Sequence, residues 1–126
     1  MANNIETGKS FTQSIKVEHK DTAAVHGSGK LEVFATPAMV GLMENTAIKC
    51  LEGMLDTESD TVGIEINTKH IKATAVGKEV FCKATITETD GRRIRFEIEA
   101  WDEAGKIGLA VHDRFIINPE KFMSKL

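Results

Sequence analysis

The pattern of hydrophobic and polar residues changes period once along the chain, near residue 60. Before that point, apolar residues recur at helical spacing over residues 38–55, beside an acidic linker at residues 56–60. After it, segments rich in Val, Ile, Thr and Phe predict four strands, at residues 61–72, 78–89, 92–102 and 106–118. Turn signals separate these strands, and Asp90-Gly91 is a strong hairpin signal. The pattern therefore predicts one long helix followed by a four-strand meander.

The predicted helix carries one charge off its polar face. Thr36 suits the N-cap, and Pro37 suits the first helical position. Glu44 lies roughly 100° from the polar stripe of the helix, among apolar neighbours. Burying an unpaired carboxylate is costly, so Glu44 is expected to have a partner or a function. Because the helix is apolar over most of its circumference, it is also expected to be wrapped by other elements.

The elements together predict an α+β fold. An extended segment at residues 11–18, a Gly-rich connection and a brief strand at residues 31–35 precede the helix. Residues alternate between apolar and charged along the strand at 92–102, which is typical of an antiparallel sheet with one covered face. A curved antiparallel sheet wrapped around one helix is the hotdog arrangement. At 126 residues, the whole chain, 1–126, is expected to form a single domain.

Composition and charge exclude several classes of partner. Hydrophobic residues make up 41% of the chain, charged residues 28%, and the net charge of -3 is dispersed. No run of Lys or Arg is present, so no nucleic acid partner is expected. The N-terminal residues lack signal-peptide features, and no apolar run approaches the ~20 residues that span a membrane. These features predict a cytoplasmic protein that does not bind membranes.

The two cysteines offer little chemistry. Cys50 and Cys82 lack CxxC spacing and a nearby histidine pair, so neither zinc nor a disulfide framework is indicated. We predict that both are reduced core residues. A nucleophilic cysteine is the minor alternative.

Among the polar residues, His70 is of interest because its strand could face the helix that carries Glu44. The alternation in its strand places His70 on one face with Ile64, Ile66 and Thr68. If that face is covered, His70 points toward the helix that carries Glu44. A histidine on an inner face is more often a core residue than a catalyst. A carboxylate, a histidine and the Thr36 hydroxyl can nevertheless form a hydrolytic constellation, although an N-cap role explains Thr36 equally well. The remaining candidates are His19, His26, His112 and Arg114.

Several motifs together resemble the fluoroacetyl-CoA thioesterase-like family of hotdog proteins. They are Val33-Phe34-Ala35-Thr36, Met39-Val40-Gly41-Leu42-Met43-Glu44, Thr68-Lys69-His70 with Ala73-Thr74 and Gly77, and His112-Asp113-Arg114 with Glu120-Lys121-Phe122. The similarity spans nearly the whole chain, and its most specific part is the joint spacing of Thr36, Glu44 and His70. It implies that these three form the catalytic triad and that Gly63 lines the thioester site. It also implies hydrolysis of a small acyl-CoA to the free acid and CoA, with no metal or redox cofactor.

The resemblance leaves open the identity of the acyl group and the residues that bind CoA. Family members that select fluoroacetyl-CoA have an aromatic-rich lid before the Val-Phe-Ala-Thr strand, whereas residues 21–31 here contain no Phe, Tyr or Trp. A different or broader acyl group is therefore expected. Arg114 is on the same strand face as His112 and is a candidate for a CoA phosphate or a subunit contact, although exposed strand arginines are usually solvated. Lys69, Lys72 and Lys78 are comparable candidates.

Two other functions remain open at this point. One is a hotdog hydratase or dehydratase that acts on the acyl chain, and the other is a non-catalytic acyl-CoA binding or sensing module. Hotdog proteins usually pair their sheets edge to edge, so at least a homodimer is expected. The sequence does not indicate whether His70 meets Glu44 of its own subunit or of the partner.

Overall fold

The computed structural model describes residues 3–126 as an antiparallel sheet packed on one long helix. The first two residues, part of the N-terminal segment considered for a signal peptide, lie outside the described residues. The strands are β1 (Ser10–Lys16), β2 (Asp60–His70), β3 (Glu79–Asp90), β4 (Arg93–Asp102) and β5 (Gly105–Ile117). The helices are α1 (Ala23–His26), α2 (Thr36–Cys50) and α3 (Pro119–Ser124), and a 3-10 turn occupies His19–Asp21. Helix α3 was not predicted from the sequence.

The sheet confirms the four predicted strands but not their order. All pairings are antiparallel, and the spatial order is β1-β3-β4-β5-β2. Only β3, β4 and β5 form a meander, because β2 crosses to the far side and pairs with β5. The four-strand meander was therefore wrong at its first strand. Strand β2 forms one edge of the sheet, with Ile64 54% exposed.

Helix α2 is shorter at its C-terminus than predicted and is covered on one face only. It ends at Cys50 and not near residue 55, since the chain turns back there and Gly53 adopts a left-handed φ of 84°. Its buried residues are Met39, Leu42, Met43, Thr46, Ala47 and Cys50. The opposite side is exposed, including Gly41 and Ile48, the latter 41% exposed. The prediction that the helix is fully wrapped is wrong for a single chain.

The core fills the space between α2 and the inner face of β3 and β4. Inward positions alternate along both strands, as the sequence predicted: Val80, Cys82, Ala84, Ile86, Ile94, Phe96 and Ile98. Cys50 and Cys82 are free and buried, in agreement with their predicted role in the core. Burial raises the pKa of the Cys82 thiol to about 11, which disfavours the nucleophilic thiolate.

The segment before α2 is less regular than predicted. Residues 31–35 do not form a strand and make only two isolated bridges, Thr22 with Phe34 and Val33 with Ala75. These bridges hold the Gly-rich connection and α1 near the start of α2. Among residues 3–126, no helix has the length and apolar character required to cross a bilayer.

Candidate active site

The start of α2 meets the end of β2 through one side-chain hydrogen bond. Thr36 Oγ1 lies 2.8 Å from His70 Nδ1. Ala35, and not Thr36, occupies the N-cap position of the helix, and Thr36 is the first helical residue. The N-cap interpretation of Thr36 is therefore wrong, because its hydroxyl bonds a distant histidine and not the first helical turn. The sequence placed these two residues in one site, and the structure brings them together.

His70 has the protonation state that a general base needs. Burial lowers the pKa of His70, while the backbone of Lys72 opposes that shift, so the ring is neutral at pH 7. Its Nε2 is buried and has no hydrogen-bond partner among the described residues. A neutral imidazole with Nδ1 directed at a hydroxyl can accept the hydroxyl proton. Thr36 and His70 thus form a pair capable of activating an oxygen nucleophile.

This pair borders a cavity of about 310 Å³ beneath α1. Its walls combine an apolar floor with small side chains on the α1 side: Ala23, Ser28, Val33, Phe34, Ile71 and Ala73. Lys72 stands at the same cavity, and its ammonium lies 3.3 Å from the Asp102 carboxylate. The cavity is therefore an open groove with a mixed apolar and polar lining, and the Lys72 ammonium, bonded to Asp102, lies beside the Thr36 and His70 pair.

Glu44 belongs to a second polar cluster, on the inner face of β2 and β5. A Cβ added to Gly63 would lie 3.0 Å from Glu44 Oε2, 3.2 Å from His112 Cε1 and 3.3 Å from a terminal nitrogen of Arg114. The absence of a side chain at Gly63 thus allows these three groups to converge. Arg114 is only 5% exposed, so it differs from the solvated strand arginine considered from the sequence.

A β-bulge in β2 aligns the two clusters on one face of the sheet. Gly63 pairs with Arg114 and Glu65 pairs with Asp113, which leaves Ile64 as an extra residue. Gly63 and His70 are seven positions apart and would lie on opposite faces of a regular strand. The bulge reverses the alternation, so both face inward. It also directs Ile64 outward, which corrects the prediction that Ile64 shares the face of His70.

The three predicted catalytic residues do not meet within one chain. Eight positions separate Thr36 from Glu44 on α2, a rise of about 12 Å along the axis. The structure thus pairs Thr36 with His70 and places Glu44 apart, beside Arg114. His19 and His26 are exposed and lie in neither cluster. Sequence reasoning missed Thr61, whose hydroxyl accepts a hydrogen bond from Arg114 Nε at 2.8 Å.

Comparison with known proteins identifies the family. The family model described as "Fluoroacetyl-CoA-specific thioesterase" matches residues 17–120. The fluoroacetyl-CoA thioesterase of Streptantibioticus cattleyicolor is 31% identical over 132 residues, covering 100% of this chain and 95% of that protein. These matches span both polar clusters.

Solved structures support the same assignment. A crystal structure of a phenylalanine-to-alanine mutant of the fluoroacetyl-CoA-specific thioesterase FlK superimposes with a TM-score of 0.91 at 30% identity, covering 98% of this chain and 96% of that one. The same mutant in complex with fluoroacetate and CoA gives a TM-score of 0.88 at 31% identity, covering 94% and 99%. A thioesterase superfamily member from Thermus thermophilus, at 24% identity and a TM-score of 0.88 over 95% and 89%, shares the fold. The predicted α+β hotdog fold is confirmed, and the chain belongs to the fluoroacetyl-CoA-specific thioesterase family of thioester hydrolases.

Proposed function

We propose that this protein, with one hotdog domain per subunit, hydrolyses a small acyl-CoA thioester at a site containing Thr36, Glu44 and His70. The observation that carries the proposal is the 2.8 Å contact between Thr36 Oγ1 and a His70 ring that burial keeps neutral. In the reaction, water adds to the acyl carbon, the C–S bond breaks, and the products are the carboxylic acid and the CoA thiol. No metal or redox cofactor is proposed.

Each group has a role that its position supports. His70 accepts a proton from Thr36 or from a water that Thr36 positions, and it returns a proton to the departing thiolate. Glu44 acts as the base for water or as the attacking carboxylate. Gly63 and Arg114 would line the thioester end, since the burial of Arg114 separates it from the solvent where CoA phosphates lie. Lys72, fixed by Asp102 beside the cavity, is the better placed group for CoA.

A homodimer is proposed because the site is incomplete in one chain. If two copies pack antiparallel on the exposed face of α2, with the twofold axis near Gly41, Thr36 lies opposite the partner subunit's Glu44. Antiparallel pairing of the two β2 edges would bring His70 toward the partner subunit's Gly63. The exposed Ile48 and Ile64 side chains lie on these two surfaces. One symmetry operation thus brings both polar clusters together and covers the exposed edge.

The proposed acyl group is not restricted to fluoroacetyl. The wall of the cavity contributed by α1 and its following loop consists of Ala23 and Ser28. Small side chains there leave room for acyl groups that an aromatic lid would exclude. We therefore propose short, branched or aromatic acyl-CoA esters as substrates, and a cytoplasmic location that cell fractionation would test.

The first experiment measures free-thiol release from short, branched, aromatic and halogenated acyl-CoAs. Native protein is compared with Glu44→Gln and His70→Ala, and Glu52→Gln serves as the control because Glu52 is an exposed carboxylate. We expect both site variants to lose turnover and the control to keep it. If both site variants hydrolyse thioesters at native rates while folded, the assignment is wrong. Tight CoA-ester binding without turnover by the native protein would favour the binding module.

Mixing the two inactive variants tests the shared site. After subunit exchange, heterodimers would contain one site with both native residues and one with neither. Random pairing therefore predicts recovery of about one quarter of the native activity. No recovery, with heterodimers demonstrated by native mass spectrometry, would place each site within one subunit.

A further inference from the structure

His112 is buried in a way that determines its tautomer. The side chain is 1% exposed and its ring stacks on Phe96, with ring centroids 6.2 Å apart. Nδ1 lies 2.7 Å from the Glu65 backbone oxygen, which can only accept a hydrogen bond, so Nδ1 carries the proton. Nε2 lies 3.1 Å from a terminal nitrogen of Arg114, which can only donate, so Nε2 accepts. The ring is therefore a neutral connector between a backbone carbonyl and a guanidinium.

The charge on the ring agrees with this arrangement. Burial is the largest cause that lowers the pKa of His112, and the positive charge of Arg114 lowers it further, against the opposing effects of the Glu65 carbonyl and of the Glu44 and Asp113 carboxylates. A second proton on the ring would also point at the guanidinium and break the contact. The accepting nitrogen of His112 thus faces a guanidinium, whereas Nδ1 of His70 faces a hydroxyl that can give it a proton.

Arg114 is held from three directions. Its Nε donates to Thr61 Oγ1 at 2.8 Å, one terminal nitrogen donates to the Thr61 carbonyl at 3.1 Å, and the other donates to His112. These contacts fix the plane of the guanidinium and leave N–H groups free on the terminal nitrogens. The nitrogen bonded to His112 is the same one that approaches Gly63 beside Glu44 Oε2.

We propose that His112 is a positioning residue that fixes the Arg114 guanidinium beside the Glu44 carboxylate. The inference rests on the proposed function, in which Glu44 takes part in hydrolysis. Without an acceptor at the position of Nε2, only the two bonds to Thr61 would remain, and the terminal nitrogen that approaches Gly63 beside Glu44 would lose the contact that holds it in place. Because misplacement of a catalytic group by about 1 Å lowers rates up to ~100-fold, the effect should be large enough to measure.

Two conservative substitutions separate positioning from packing. His112→Gln keeps a side-chain oxygen near the position of Nε2, so it can still accept from Arg114. His112→Asn keeps a polar group near the position of Nδ1, so it can still bond the Glu65 carbonyl, but it does not reach Arg114. Both remove the ring from Phe96, and a purely structural role predicts similar losses in both variants. The measurements are kcat and KM for the best acyl-CoA, with the melting temperature of each variant.

A positioning role and a purely structural role of His112 predict different results for the two variants. We expect His112→Asn to lower kcat about tenfold or more with KM little changed, and His112→Gln to retain most of kcat at a similar melting temperature. Equal losses in both variants, or no loss in either, would overturn the proposal. If Glu44→Gln and His70→Ala both keep native activity, the proposed function fails instead. Should either variant fail to fold, ¹⁵N NMR of the native protein tests the arrangement, and a protonated Nε2 on His112 would refute it.

Discussion

Gly63→Ala should separate activity from stability. The new Cβ would lie 3.0 Å from Glu44 Oε2, where ordinary contacts begin at 3.4 Å, so the carboxylate must retreat by about 0.4 Å. The His112 ring and the Arg114 guanidinium are also closer than ordinary contact, at 3.2 and 3.3 Å, and their hydrogen bonds prevent them from yielding freely. The half-buried Glu44 side chain is the group expected to move.

The stability cost of this substitution should be small. Gly63 is not among the glycines with positive φ, so alanine can adopt its backbone conformation. Replacing glycine in a strand stabilises the fold by about 0.5–1 kcal/mol, which offsets part of the crowding. We therefore expect the free energy of unfolding to stay within about 1 kcal/mol of native. The displaced carboxylate should lower kcat about tenfold.

Thiol-release kinetics and urea unfolding test the two expectations together. Native kcat and KM in a folded Gly63→Ala protein would refute the argument that Glu44 must occupy this exact pocket. A loss of activity that parallels a large loss of stability would also refute it, because the substitution would then act through the fold.

Three further outcomes are expected. The acid limb of the pH profile of kcat/KM should have its midpoint below the ordinary imidazole pKa of about 6.5, because burial lowers the pKa of His70 and the neutral ring is the active form. A midpoint above that value would contradict this. Ile48→Glu should convert the proposed dimer to monomers in light scattering and lower activity with it, and an intact dimer would place the interface elsewhere. Gly108→Ala should lower the free energy of unfolding in urea by about 1–3 kcal/mol, because the new Cβ would lie 2.6 Å from the buried Met39 sulfur. Unchanged stability would show that the Met39 side chain can repack.

The sequence predicted the positions of strands and helices better than it predicted which strands pair with one another. Strands β3, β4 and β5 follow from alternation and from local turns, so their positions and pairing were both accessible. The position of β2 beside β5 was not, because it depends on a crossover between strands distant in the chain. The C-terminal end of α2 was overestimated because apolar spacing continues past the turn that Gly53 permits.

The hydrogen-bond partners of side chains could be predicted from the sequence only where no local rule suggested a different partner. Thr36 satisfies the composition rule for an N-cap, yet its hydroxyl bonds His70, 34 positions later. The shared face of His112 and Arg114 followed from their spacing of two, whereas the bond of Arg114 to Thr61 joins residues 53 positions apart. No local pattern encodes such a contact, so the buried state of Arg114 could not be predicted.

The extra residue in β2 makes the length of this strand a functional constraint. Gly63 and His70 share a face only because Ile64 interrupts the pairing between them. Deleting Ile64 alone would leave six positions in an uninterrupted strand, so Gly63 and His70 would still share the inner face. Losing the bulge at unchanged length, or changing the length by one residue with the bulge kept, would instead turn Gly63 or His70 toward solvent, although every side chain of the site was retained. Relatives that lack the bulge and still hydrolyse thioesters should therefore have one residue fewer or one more between these two positions.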